Sequence, residues 1–333
     1  MEHLVRRLWR GDSRTEQISP DTPAILARGV HKSYGGVHAV RGVDLTVRQG
    51  ETFGFLGPNG AGKSTMIAML CTLARPDSGR VEISGHDTLH EPHEVRRRLG
   101  LVFQESTLDT ELTAAENLRF HADLYAMPRT IVGQRVTTML ELVGLGARRD
   151  DLVSTFSGGM RRRLEIARGL LHRPRVLFLD EPTVGLDPQT RAEMWQYLSE
   201  IGHRESTTVF LTTHYLEEAE QCDRIAIIDE GRLIAEGTPA ELKSVVGADR
   251  ITLRTGDDAT AVRVLRERFD LVATAQDDAV QVRVADGARF VPVLCSGLDV
   301  PIYEVGVTRP SLDEVFLHYT GRAIRDAPGV PAS

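Results

Sequence analysis

The 333-residue sequence predicts an α/β protein with a largely parallel sheet, followed by a smaller α+β appendage. Three observations carry that reading. Short apolar strands alternate with amphipathic helical stretches from Ala24 to Gly247, the pattern of a sheet wrapped by helices. One of the strand-to-helix passages is a glycine-rich bend of the kind that holds phosphate. Beyond Arg250 the order changes to strand, helix, two strands, helix, strand and a closing helix, the split βαβ or ferredoxin-like arrangement. At about 150 residues per domain, the chain has room for both.

Residues 11–23, "GDSRTEQISPDTP", are polar and carry two prolines, so 1–23 is expected to be a flexible leader. The apolar part of "MEHLVRRLWRGDS" is too short for a signal peptide. It reads as a frayed amphipathic turn, with a membrane-surface anchor as the alternative. No stretch approaches the roughly 18 uninterrupted apolar residues of a membrane helix. Cys71, Cys222 and Cys295 are far apart with no C-x-x-C, which predicts reduced, buried thiols and no metal site. A net charge of −7 argues against a broad nucleic-acid-binding face, and no nucleic-acid partner is expected.

The bend is "FLGPNGAGKST", Phe55 to Thr65. An apolar run precedes it and "STMIAMLCTL" follows with helical spacing. Glycine costs conformational entropy on folding, so three of them here imply a gain from bare backbone. Strand, bend and helix start form a cup of outward N–H groups at the positive end of a helix dipole. Gly57, Gly62, Lys63 and Ser64 fit G-x-x-x-x-G-K-[ST]. Amides in that motif hold phosphates, the lysine reaches the terminal ones and the hydroxyl binds Mg²⁺. Pro58, Asn59, Gly60, Ala61 and Thr65 complete the predicted cradle for a nucleoside triphosphate. The rival reading is a tight turn ending by chance in Gly-Lys-Ser.

Val176 to Leu179 deliver Asp180 and Glu181 to the end of a central strand. Two adjacent acids repel unless a cation or proton separates them. Asp180 suits Mg²⁺ and Glu181 suits polarising an attacking water; alternatively both acids cap the next helix. Ser157, Gly158 and Gly159 stand directly before a helix, a second anion site by the same helix-terminus logic. The run Arg161–Arg163 on that helix is expected to be a solvated face.

With these residues in this order the chain resembles the ATP-binding-cassette ATPases, the nucleotide-binding subunits of ABC transporters, over about 24–247. "GPNGAGKST" corresponds to Walker A, "VLFLDEP" to Walker B, "FSGGM" to the family signature and "GLD" at 185–187, ending in Asp187, to the D-loop. Gln104 in "LVFQES" matches the Q-loop glutamine, His214 in "TTHYLEEAE" the switch histidine and Tyr34 in "KSYGGVHAV" the aromatic residue that stacks on adenine. Phe156 and Met160 depart from the leucine and glutamine commonest in the signature. The resemblance implies a P-loop NTPase fold with a mixed sheet core and a helical subdomain. It also implies ATP and Mg²⁺ as cofactors, and a head-to-tail pair in which each ATP lies between one Walker loop and the opposite Ser157–Gly159. The metal ligands implied are Ser64, Gln104 and Asp180, and the catalytic residues Glu181, His214 and Gln104. Taken alone, Tyr34 could be a strand-edge aromatic, His214 an interior imidazole and Gln104 a solvated amide.

The same resemblance implies a second ATPase subunit as partner, a separate membrane permease, and a location at the cytoplasmic face of the membrane. "SGGMRRRLE" and the closing "PSLDEVFLHYTG" are similar to the daunorubicin-resistance type of exporter ATPase. An importer ATPase and a cassette acting on nucleic acid or the ribosome are the alternatives. Residues 250–320 show no catalytic constellation and read as a structural or regulatory appendage. The tail 321–333 is expected to be disordered.

Overall fold

In a computed structural model, residues 22–205, 207–276 and 279–322 are described. The expected leader and tail therefore fall almost wholly outside the described residues, as does the Asp277–Asp278 turn. The chain divides into two compact units, with the division between Ile234 and Ala235. That is earlier than the expected break near Gly247. The helix Pro239–Val246, assigned from sequence to the ATPase domain, packs with the closing helix Leu312–Thr320 inside the second unit.

The first unit holds two sheets, the last strand of one, Arg232–Gly237, crossing the division after Ile234. Strands β1 (Ile25–Tyr34), β2 (Val37–Val47), β4 (Ser78–Ile83) and β5 (His86–Asp87) form an antiparallel sheet in the order β2-β1-β4-β5. The second sheet runs β10 (Arg232–Gly237), β9 (Arg224–Asp229), β3 (Thr52–Leu56), β8 (Thr208–Thr213), β7 (Val176–Asp180), β6 (Leu99–Val102). From β9 to β6 every neighbouring pair is parallel. Strands buried on both faces read as continuous apolar runs, which is why "VLFLD" and "TFGFL" lack alternation. Phe53, Phe210 and Phe178 share one rung across β3, β8 and β7. Phe53 stacks on Phe210 at 5.7 Å between centroids and Phe178 tilts onto it at 5.5 Å. All three are fully buried, worth roughly 1.5–3 kcal/mol each in transfer energy.

Helix α1 (Lys63–Leu70) follows β3, and α2 (Pro92–Arg98) leads into β6. Helices α3 (Ala114–Leu124), α4 (Arg129–Leu142) and α5 (Gly158–Leu170) pack on one another between β6 and β7, giving the helical subdomain. Thr113 and Glu116 form a reciprocal capping box that starts α3. Helix α6 (Pro188–Glu205) follows β7, and the short α7 (Leu216–Ala219) follows β8. Among the described residues no helix is long and apolar enough to cross a membrane.

The second unit contains α8 (Pro239–Val246), β11 (Asp249–Thr255), α9 (Asp258–Phe269), β12 (Ala273–Gln276), β13 (Ala279–Val284), α10 (Gly287–Gly297), β14 (Ile302–Thr308) and α11 (Leu312–Thr320). Its antiparallel sheet has the order β12-β13-β11-β14 over a core of Ile251, Leu253, Leu265, Val280 and Leu294. This is the split βαβ arrangement read from sequence. Cys71 and Cys222 are buried, and burial pushes both thiols up. Cys295 is exposed, against expectation, because it falls on the outer side of α10.

Candidate nucleotide site

The bend after β3 is shaped by close packing as well as by its glycines' freedom. A Cβ on Gly57 would sit 2.4 Å from the Ile228 carbonyl of β9. Gly62 has φ +106°, and a Cβ there would meet the Ala39 carbonyl of β2 at 2.3 Å. Gly62 is also the N-cap of α1, with no side chain capping the helix. The first amides of a helix have no partner within it, so this terminus presents unscreened N–H groups and positive dipole.

Lys63 turns its ammonium back over the bend. Nζ donates to the Gly57 carbonyl at 2.9 Å and the Pro58 carbonyl at 3.2 Å, and lies 3.2 Å from Glu181 Oε1. Nδ1 of His214, just beyond β8, is 3.3 Å from the same Oε1. Burial works to raise the Glu181 carboxyl pKa, but His214 and the Lys63 charge outweigh it and hold the group below the ordinary glutamate value. Glu181 is therefore a carboxylate at neutral pH, and it sits in the left-handed region with φ +43°. Thr212 fixes that turn. Its Oγ1 accepts from Glu181 N–H at 3.0 Å and donates to Asp180 Oδ1 at 2.6 Å. Asp180 and Thr212 are register partners in neighbouring strands, which is what brings them together.

The structure thus gathers Lys63, Glu181 and His214 at the ends of three adjacent strands, with Asp180 beside them. Gln104 follows β6 on the same sheet and is exposed, as is Tyr34 at the end of β1. Lys32 stands 5.2 Å from the centroid of the Tyr34 ring. Ser157, Gly158 and Gly159 stand at the start of α5. Ser157 Oγ caps α5 by accepting from Met160 N–H, and a Cβ on Gly159 would meet Thr190 Cγ2 at 2.4 Å. Asp187 caps α6 through Thr190, whose side chain and N–H both donate to it and hold its carboxyl below the usual value. The signature and D-loop residues are therefore neighbours. Phe156 is buried with the Arg148 guanidinium 5.7 Å from its ring, so the substituted signature position serves packing.

The arginine run is not a solvated face. Arg162 is buried, and Arg163 donates to the Val143 carbonyl and the Tyr197 hydroxyl. Sequence reasoning also passed over Glu218. It is buried, accepting hydrogen bonds from Thr183 Oγ1 and from Thr213 Oγ1, the latter at 2.7 Å. Burial raises its carboxyl pKa despite both hydroxyls. The paired threonines of "TTH" were the available signal, since hydroxyls at a strand end imply acceptors nearby.

The family model "ABC transporter" matches residues 40–184. The daunorubicin resistance ATP-binding protein DrrA3 of Streptomyces coeruleorubidus is 43% identical over 313 residues, 91% of this chain and 98% of that one. The linearmycin resistance ATP-binding protein LnrL of Bacillus subtilis is 37% identical over 311 residues, 91% of this chain and all of its own. Among solved structures, a dimeric ATP-binding cassette in a post-hydrolysis state with ADP and Pi aligns with TM-score 0.59 and 30% identity. That alignment covers 64% of this chain and 98% of the cassette.

Proposed function

This chain belongs to the ATP-binding subunits of ABC transporters, and on that premise we propose that it powers export of a drug, lipid or natural product through a separate membrane permease. ATP binding and hydrolysis come with the family. The direction and the class of cargo rest on one observation. Similarity to drug-resistance subunits runs through nine-tenths of the chain, so it extends past the cassette into the second unit. No observation favours the importer or nucleic-acid readings.

In this reading the amides from Gly57 to Thr65 and the Lys63 ammonium hold the phosphates, and Tyr34 stacks on adenine. Oxygen donors on Ser64, Gln104 and Asp180 suit a hard cation, and the Thr212 hydroxyl 2.6 Å from Asp180 Oδ1 aims that carboxylate. These three residues would hold Mg²⁺, which supplies charge neutralisation on the phosphates when bound. Glu181, kept ionised by Lys63 and His214, orients and polarises the attacking water. His214 contacts the γ-phosphate. Positioning and preorganised charge supply most of the rate in such chemistry. Ser157, Gly158, Gly159 and Asp187 serve the nucleotide of a second copy. The chain acts peripherally, at the cytoplasmic face of the membrane.

The test is efflux. Cells expressing the chain with a co-purifying multi-span membrane protein should retain less daunorubicin or linearmycin than cells expressing the E181Q form. Equal retention of every drug, lipid or natural product tried would remove the export reading.

A further inference from the structure

Arg162 lies in the second turn of α5 and is 6% exposed. A buried guanidinium is costly unless all of its donors find acceptors. Here the donors go to backbone that matters. Nε donates to the Pro182 carbonyl at 2.7 Å and Nη2 to the Asp180 carbonyl at 3.0 Å. Those two carbonyls flank Glu181, whose own backbone occupies an uncommon left-handed conformation. Nη1 donates to the Phe103 carbonyl, directly before Gln104, and to Glu165 Oε2 at 3.1 Å.

The other side of the Gln104 loop is held by the same helix. Glu165 Oε1 accepts from Thr107 N–H at 2.9 Å, and Arg168 Nη1 donates to the Thr107 carbonyl at 2.8 Å. Residues 162, 165 and 168 recur every three positions, so they share one helix face. A buried ion pair adds little net stability over an apolar pair of similar volume. The arrangement therefore needs a reason other than stability.

We propose that Arg162 is a positioning residue for hydrolysis: it locks the peptides around Glu181 and the loop carrying Gln104 into one rigid frame, so that displacement of the loop displaces Glu181. This rests on the reading of Glu181 as the residue that polarises water. The frame lies within one copy of the chain and requires no contact between Arg162 and substrate.

Two variants of the full-length chain test it. R162K keeps a charge for Glu165, but one ammonium cannot span the Asp180, Pro182 and Phe103 carbonyls. The double variant R162Q/E165Q removes the ion pair as a pair, so neither partner is left as a lone buried charge. Both should lower kcat toward about 10²-fold while KM for ATP stays put, because misplacement acts on the chemical step and leaves the phosphate cradle intact. Hydrogen exchange should quicken together in residues 100–108 and 178–184. A purely structural role would instead raise KM with kcat or loosen the whole unit. A folded variant with wild-type kcat, or one in which only one of the two segments loosens, overturns the proposal. An E181Q chain that hydrolyses normally overturns the underlying reading instead, and with it this inference. The two failures are thus told apart.

Discussion

The Lys63 ammonium nitrogen lies 3.2 Å from Glu181 Oε1, and both side chains are buried. The cation proposed to reach terminal phosphate and the carboxylate proposed to polarise water are thus electrostatically one unit. Replacing Glu181 by Gln keeps the shape and removes the charge. Nucleotide affinity measured by calorimetry should be retained, while turnover falls by about 10²–10⁴-fold, the usual worth of a positioned acid-base group.

Gly158 and Gly159 predict opposite outcomes for the same substitution. A Cβ on Gly158 meets nothing within 4 Å, whereas one on Gly159 collides with Thr190. Gly158→Ala should fold with unchanged or slightly raised melting temperature, since alanine favours a helix by up to about 1 kcal/mol. It should nonetheless lose ATP turnover if, as proposed, the second copy's nucleotide needs that space. Gly159→Ala should lower the melting temperature. Wild-type turnover in a folded Gly158→Ala chain would argue against the paired arrangement.

Acid should destabilise the helical subdomain through His121 and His172. Burial lowers both imidazoles to about 4, with Arg168 acting on His121 and Arg135 on His172. Tyr125 stacks on His172 at 3.8 Å and covers it. Both groups bind protons more weakly folded than unfolded, so their contribution is present above the ordinary value of 6.5 and is lost as pH falls through about 4. His172→Gln, whose amide can still donate to the Leu99 carbonyl, should flatten the fall in denaturation midpoint over that window.

Glu218 carries the opposite sign. Its raised pKa means that the folded chain holds the proton more tightly than the unfolded one. That contribution is present below the ordinary glutamate value and fades as pH rises through the raised one. Thermal melts of Glu218→Gln and wild type should therefore diverge in favour of the variant as pH increases. Glu218→Ala should cost about 1–3 kcal/mol at acid pH, because the hydroxyls of Thr183 and Thr213 lose a common acceptor.

Much of this was legible in the sequence, for a physical reason. The motifs around Lys63, Ser157 and Asp180 are built from immediate neighbours, so each announces itself within a few residues. The second unit's strand order was equally readable because alternating strands and helices admit few pairings. Arg162 was misread because, Glu165 aside, its partners are main-chain carbonyls 18, 20 and 59 positions away. A carbonyl has no residue type, so such a contact leaves no mark on the sequence. Glu218 was missed similarly, since a glutamate beside other acids resembles surface until its two threonines are located in space. The shift of the first unit's end to Ile234 follows from packing of Pro239–Val246, which its capping box and local spacing do not reveal.

The steric demands at Gly57 and Gly62 bear on how variants of this loop are interpreted. The Ile228 and Ala39 oxygens forbid a methyl group at either position whatever ligand the loop holds. A dead enzyme after alanine scanning there would report a broken mould rather than a lost grip on phosphate. Gly60, with nothing within 4 Å of its would-be methyl, interrogates the loop's backbone geometry with no collision from a neighbour.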